Sequence, residues 1–229
     1  MYKHFFKRLI DILLSFIGIL VLAIPMLALS LAVWIDDPGP VIFRQTRVGK
    51  KKNGALTYFS LFKFRSMKRC APPDVPTHLL ENPGQYITRV GCVLRKTSGD
   101  ELMQIFNIFS GRMSIVGPRP ALWNQYDLIE AREKYGANDI RPGLTGWAQV
   151  NGRDELEIAE KARLDGEYAS HLNIKMDWIC FWMTVGNVLK RRGVIEGGTG
   201  VLARQMARRE SEIRDAAQPP NPASRQGAF

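Results

Sequence analysis

The sequence predicts an α+β fold: one small domain on one face of a membrane, held by a re-entrant, proline-broken N-terminal helix and by interfacial amphipathic helices. Three observations predict it. An apolar run from Leu9 to Ile35 opens the chain, with Pro25 inside it and basic residues on both sides. Short β-type segments separated by glycine and proline turns follow. Further on, apolar residues recur at helical spacing and end in stripes of aromatic residues.

The first element is the apolar run. At about 1.5 Å per residue it is long enough to cross a hydrocarbon core of about 30 Å. Lys3, Lys7 and Arg8 precede it, and Arg44, Arg47, Lys50, Lys51 and Lys52 follow it. Cationic residues mark the cytoplasmic side of a membrane segment, and here they mark both ends. A segment that enters, bends near Pro25 and leaves on the same side reconciles the two facts. Pro25 lacks an N–H and its ring crowds the preceding turn, which frees the carbonyl of Val21. A kinked spanning helix is the alternative. A signal peptide fits less well, since its apolar region is shorter. Asp11 is expected at the interface beside Lys7 and Arg8.

Asp36-Asp37-Pro38-Gly39-Pro40 ends the run as a turn cluster. Val41–Phe43 and Tyr58–Phe64 read as strands, joined by a basic hairpin loop from Gly49 to Gly54. Residues 70–85 read as a loop. Leu102, Ile105, Phe106 and Phe109 recur as one face of a helix. Ser98-Gly99-Asp100-Glu101 matches a capping box, so both carboxylates are expected in the first turn of that helix. Gly117-Pro118-Arg119-Pro120 breaks the chain, and a helix with Trp123 and Tyr126 follows. Arg141 to Arg153 is glycine-rich and irregular. Trp178, Phe181, Trp182, Val185 and Leu189 form a stripe closed by Lys190-Arg191-Arg192, which suits an interfacial helix or a core helix equally. The chain thus divides into a membrane helix (1–36), a domain on the membrane face (37–200) and a polar, disordered tail (201–229).

Composition narrows the function. The 229 residues carry a net charge of +10 and are 45% hydrophobic, which excludes wholesale disorder. That charge suits anionic lipid, phosphorylated substrates or nucleic acid. No zinc-finger spacing, RNP motif or helix-turn-helix supports nucleic acid. Cys70, Cys92 and Cys180 are odd in number and scattered, which argues against a disulfide framework and for a reducing compartment. His4, His78 and His171 receive no role. P-loop, GxGxxG and HExxH patterns are absent.

The chemistry-bearing pair is Asp100-Glu101. Arg95 and Lys96 stand just upstream, Lys63 and Arg65 end a strand, Arg119 sits in a proline-locked turn, and Arg141 and Arg153 bracket the glycine-rich loop. Guanidinium groups present a rigid donor fork to phosphate oxygens. Paired carboxylates among cations suit a Mg²⁺-dependent phosphoryl transfer, in which a carboxylate holds the metal or attacks phosphorus. A non-catalytic anchored module that binds anionic lipids is the competing reading, but it gains nothing from paired carboxylates inside a basic site.

Lys63-Phe64-Arg65-Ser66-Met67 resembles the KFRTM-type motif of the bacterial sugar transferases, the monotopic polyprenyl-phosphate phosphoglycosyl transferases. Arg95-Lys96-Thr97-Ser98-Gly99-Asp100-Glu101-Leu102 resembles their R-x-x-S-x-D-E-L. The stretches Met113–Pro120 and Arg141–Arg153 are also similar to that family, and the likeness runs from the N-terminus to about Gly193. The resemblance implies a membrane enzyme that moves a phospho-sugar from a UDP-sugar to undecaprenyl phosphate and releases UMP, the first membrane step of glycoconjugate synthesis. It implies that Asp100 is the nucleophile, forming an aspartyl phospho-sugar ester, and that Glu101 assists. Mg²⁺, or Mn²⁺, would be held by Asp100 and Glu101. Lys63, Arg95, Arg119 and Arg153 would hold phosphates, with Arg65 and Arg141 completing the substrate-binding set. The implied place is the cytoplasmic face of a bacterial inner membrane, with Pro25 as the membrane break and a homodimer as one candidate assembly.

Overall fold

The computed structural model describes residues 2–72, 80, 82–152 and 156–189. Arg153, His78, half of the 70–85 loop, the Lys190-Arg191-Arg192 cluster and the 201–229 tail lie outside the described residues.

After a π-helical turn at Tyr2–Phe6, helix α1 runs from Lys7 to Asp36 and continues through Pro25 as one helix. It is long and apolar enough to cross a membrane by length and composition. Its inner stripe has a spacing of three and four: Lys7, Asp11, Ser15, Leu22, Met26, Leu29 and Val33 are buried or packed on the core. The opposite stripe is apolar and uncovered, with Ile24 79% and Leu27 73% exposed. One face therefore belongs to the domain and the other is finished for an apolar surrounding. Asp11 departs from its expected place at the interface. It is 2% exposed, and its Oδ1 accepts bonds from the Ser114 hydroxyl at 3.1 Å and the Ile115 N–H at 3.0 Å. Those two donors compensate a burial that would otherwise be costly.

The first strand is longer than its apolar residues suggest. β1 (Ile42–Val48) pairs antiparallel with β2 (Tyr58–Phe64), with Ile42 opposite Phe64 and Val48 opposite Tyr58. Arg44 and Thr46 alternate outward along β1, and this polar half of the alternation hid the strand. In β2 the buried side chains are Phe59, Leu61 and Phe64, each worth about 1.5–3 kcal/mol on burial. The expected hairpin loop closes at Asn53-Gly54, with φ of 51° and 80°, between Lys52 and Ala55, which exchange two backbone bonds of 2.9 Å. Two positive φ values in succession give the twist that antiparallel strands prefer.

Helix α2 (Arg89–Thr97) follows, capped by the Thr88 hydroxyl on the Gly91 N–H. Ser98 ends it. Here the expected capping box does not form: Ser98 has φ 54°, its N–H bonds back to Leu94 and Arg95, and its hydroxyl caps nothing. An N-cap residue needs extended backbone, whereas Ser98 is the left-handed end of the preceding helix. Asp100 and Glu101 consequently sit in a 3₁₀ turn, Gly99–Met103, which leads into α3 (Gln104–Phe109). Leu102, Ile105 and Phe106 pack toward α1, as their spacing predicts, while Asn107 and Ile108 are buried beneath β2. The Asn107 side chain bridges Phe62 N–H and Ser60 C=O, at 2.9 and 2.8 Å.

Two three-residue strands, β3 (Ser114–Val116) and β4 (Gly143–Thr145), pair in parallel. Their glycines have a steric reason. A Cβ on Gly143 would lie 2.1 Å from the Gly117 nitrogen, and one on Gly146 would lie 2.1 Å from the Gly117 oxygen. The two glycine-proline motifs are thus packed backbone on backbone, which any side chain would prevent. Between them runs α4 (Tyr126–Glu133), which starts after Trp123 rather than including it. Then come the short α5 (Trp147–Val150), α6 (Ile158–Ser170) and α7 (Ile174–Leu189). α7 turns Cys180 into the core and leaves Trp178 63% and Trp182 52% exposed. The aromatic stripe is therefore the uncovered face of α7 and not its core face. Cys70, Cys92 and Cys180 are free thiols.

Candidate active site

Asp100 and Glu101 are positioned by the 3₁₀ turn that Ser98 starts. Across from them stands Lys63, the penultimate residue of β2. Its ammonium lies 3.0 Å from Glu101 Oε1 and 3.4 Å from Asp100 Oδ2. Arg119 adds a second cation, 3.1 Å from the same Glu101 oxygen. Asp100 is 3% exposed, and the Arg119 side chain is the most open of the four. The result is a half-enclosed pair of carboxylates faced by two cations, where electrostatic interactions are less screened than at an open surface.

The turn that carries Arg119 is clamped from two sides. Arg132 on α4 donates to the Arg119 carbonyl at 2.9 Å and to Asp165 on α6 at 2.6 and 2.8 Å. Burial pushes the Asp165 carboxyl upward, and the Arg132 charge works against it. Breaking one partner out of such a buried pair commonly costs about 3–5 kcal/mol, because the other charge is left unpaired. From the opposite side Arg47 of β1 donates to the Pro120 carbonyl at 2.9 Å, and Val48 N–H bonds to Ala121 C=O at 3.0 Å. Arg119 is therefore a side chain on a fixed backbone.

Of the eight residues expected at the site, the structure brings four together: Lys63, Asp100, Glu101 and Arg119. Arg95 lies one motif away, donating to Ser66 Oγ at 3.1 Å. Arg65 turns to the end of α1, where it bonds the Asp37 carbonyl and lies 3.3 Å from the Asp37 carboxylate. Arg141 donates to the Gly111 carbonyl at 3.1 Å, just beyond the C-terminus of α3. Arg153 is outside the described residues. Periodicity could not separate these cases, because consecutive residues of the Lys63–Met67 stretch face different partners.

The sequence reading missed a polar knot that ties α1 to the far side of the domain. The Asp177 carboxylate of α7 accepts from the Tyr2 hydroxyl and the Lys7 ammonium, both at 2.6 Å, and from the Tyr168 hydroxyl at 2.5 Å. Burial first, then the Asp177 charge, pushes the Tyr168 phenol far above its ordinary range, so it remains a donor. An aspartate inside an apolar stripe, Asp177 before Trp178, was the one sequence feature that could have marked it.

Asp100 and Glu101 are also the residues expected to hold a metal ion. Among the described residues, no group of three or more His, Cys, Asp or Glu side chains could hold a metal ion. Two adjacent carboxylates without nitrogen or sulfur fit a hard ion such as Mg²⁺, which keeps waters and takes its remaining oxygens from substrate phosphates.

The family described as bacterial sugar transferase matches residues 2–191. The chain is 39% identical, over 186 residues, to the UDP-glucose:undecaprenyl-phosphate glucose-1-phosphate transferase of Escherichia coli (strain K12); the match covers 78% of this chain and 39% of that protein. It is 37% identical to the exopolysaccharide production protein PSS of Rhizobium leguminosarum bv. phaseoli, covering 81% of this chain and 96% of that one. A UDP-N-acetylgalactosamine-undecaprenyl-phosphate N-acetylgalactosaminephosphotransferase of Aeromonas hydrophila is 33% identical, with 81% and 44% covered. The chain thus spans less than half the length of two of these relatives and nearly all of the third.

Proposed function

This chain belongs to the bacterial sugar transferase family, and on that premise we propose that it is a phosphoglycosyl transferase moving a phospho-sugar from a UDP-sugar to undecaprenyl phosphate. The observation that carries this reading is the Asp100–Glu101 pair held against Lys63 and Arg119. A carboxylate is ionised at neutral pH and can attack without a general base. The Asp100 carboxylate attacks the β-phosphorus of the UDP-sugar. The bond from that phosphorus to the bridging oxygen breaks, and UMP leaves with the bridging oxygen. A phosphate oxygen of undecaprenyl phosphate then attacks the same phosphorus and displaces Asp100, forming a lipid diphosphate-sugar. Lys63 neutralises the carboxylate pair in the free enzyme and turns to the phosphoryl oxygens as charge moves onto them. Arg119, on its clamped turn, offers its guanidinium to the same oxygens. When bound, Mg²⁺ at Asp100 and Glu101 would offset the diphosphate's negative charge.

Membranes containing the chain, supplied with undecaprenyl phosphate and a panel of UDP-sugars, are expected to release UMP with at least one of them. A panel without UMP release would remove the transferase reading. One relative is named for exopolysaccharide production, and the lipid-linked sugar made here is proposed to enter the same class of pathway.

The proposed location is the cytoplasmic face of the inner membrane, with both ends of α1 on that face and a bend in the helix near Pro25. The support is mechanical. Near its start α1 is tied by Lys7 to Asp177 and by Arg8 to the Ile108 and Phe109 carbonyls, and at its end Asp36 accepts from Val90 N–H at 2.8 Å. One domain holds both ends, which supports a helix that enters and leaves on the same side. The exposed tryptophans of α7 suit the headgroup level. A Lys3→Cys variant with Cys70, Cys92 and Cys180 replaced tests the side. It is expected to react with a membrane-impermeant thiol reagent after permeabilisation and not in intact cells. Labelling of intact cells would establish a spanning helix and leave the transferase reading standing.

A further inference from the structure

Four carbonyls in succession, Pro118 to Ala121, are each taken by a donor from a distant part of the chain. The Gly143 N–H of β4 bonds the Pro118 carbonyl at 2.8 Å, and Arg132 Nη1 of α4 bonds the Arg119 carbonyl at 2.9 Å. Two donors of β1 follow, Arg47 Nη1 on the Pro120 carbonyl at 2.9 Å and the Val48 N–H on the Ala121 carbonyl at 3.0 Å. The segment is irregular, because Pro118 and Pro120 supply no N–H and Pro120 holds Arg119 out of helical backbone. Its buried carbonyls therefore need donors from elsewhere. A neutral amide or hydroxyl would satisfy the Arg119 carbonyl without burying charge. Instead the donor is Arg132, 4% exposed, which is neutralised by Asp165, 1% exposed. The charged pair adds a fixed span. A guanidinium is one rigid plane, so Nε and Nη2 on Asp165 Oδ2, at 2.8 and 2.6 Å, dictate where Nη1 stands. Helix α6 thereby sets the place of the Arg119 main chain, from which the side chain reaches Glu101 Oε1 at 3.1 Å.

We propose that Arg132, held by Asp165, is a positioning residue for phosphoryl transfer: it fixes the Arg119 main chain so that the guanidinium meets the phosphoryl oxygens without reorganising as charge develops on them. Donors that are already in place when charge moves stabilise a transition state more than donors that must first be ordered. Arg132 and Asp165 act through Arg119 and have no contact with the Asp100–Glu101 pair of their own. The inference deepens the transferase reading above and rests on it. A catalytic group displaced by about 1 Å can lose about a hundredfold in rate, which sets the scale of the expected effect.

The test uses the full chain in neutral detergent and measures UMP release, thermal melting and hydrogen exchange in the peptide covering residues 117–122. Arg132→Lys keeps a charge opposite Asp165 but has one ammonium where the fork had two ends. A second variant, Arg132→Met with Asp165→Leu, removes both charges together, a replacement that buried ion pairs commonly tolerate. Both are expected to melt close to the wild-type chain. In both, kcat is expected to fall by about tenfold to a hundredfold with KM for the UDP-sugar nearly unchanged, and exchange in residues 117–122 to quicken. The decisive arm places Arg132→Lys in an Arg119→Gln background, where it is expected to cost little further rate, because residues that act as a unit are not additive. A merely structural role multiplies the loss equally in either background. Wild-type kcat in a folded variant, a full second loss in the Arg119→Gln background, or unchanged exchange overturns the proposal. Absence of UMP release by the wild-type chain instead defeats the transferase reading, and the exchange result still decides whether Arg132 holds the turn.

Discussion

Replacing Asp100 by Asn is expected to lower turnover by about three orders of magnitude or more, the scale on which enzymes lose a covalent nucleophile. The substitution keeps the size and planarity of the side chain and removes only the attacking charge. Asp100 is nearly buried and its turn is fixed by backbone bonds, so the fold should hold: Glu101 N–H bonds to Ser98 C=O, and Gln104 N–H to Glu101 C=O. Lys63 keeps Glu101 at 3.0 Å as its remaining partner. UMP release by the purified variant is the measurement, with thermal melting to show that folding survives. In the unaltered enzyme, UDP-sugar without acceptor should add the mass of a phospho-sugar to the peptide containing Asp100. Near-normal turnover by Asp100→Asn would end the nucleophile assignment.

Removing divalent ions is the second large effect. EDTA is expected to abolish UMP release, and Mg²⁺ to restore it, with Mn²⁺ as a substitute. Lys63 and Arg119 bring two positive charges to the pair, fewer than the charges a diphosphate and two carboxylates assemble there. Like charges so placed repel strongly where screening is weak. Oxygen donors alone favour Mg²⁺ and Mn²⁺ over metals that prefer nitrogen or sulfur. Undiminished activity after exhaustive dialysis against EDTA would show that the cations of the protein suffice.

The site was legible in the sequence as far as residue chemistry goes. An Asp-Glu pair among arginines stood out because acidic pairs need compensation, and Lys63 and Arg119 supply it. Arg65 and Arg141 were equally basic and equally close to turns, yet they bond Asp37 and Gly111. Direction decides such cases, and direction depends on how a strand ends. The capping box failed for a related reason. Ser98 satisfies the pattern, but α2 ends on it in a left-handed conformation, so the residue serves the helix behind it. The three-residue strands β3 and β4 carry too few residues for any period to register.

By itself the sequence determined the hairpin loop between Gly49 and Gly54, the apolar length of α1 and the family motifs. These follow from local rules: positive φ, apolar run length and charge. Tertiary structure alone decided which face of α1 meets the domain, where Asp11 and Asp177 find their donors, and which cations reach Asp100 and Glu101. Those outcomes depend on contacts between residues as far apart as Tyr2 and Asp177. The physical reason is that a buried polar group is tolerated only where its partner arrives, and no local pattern records the partner.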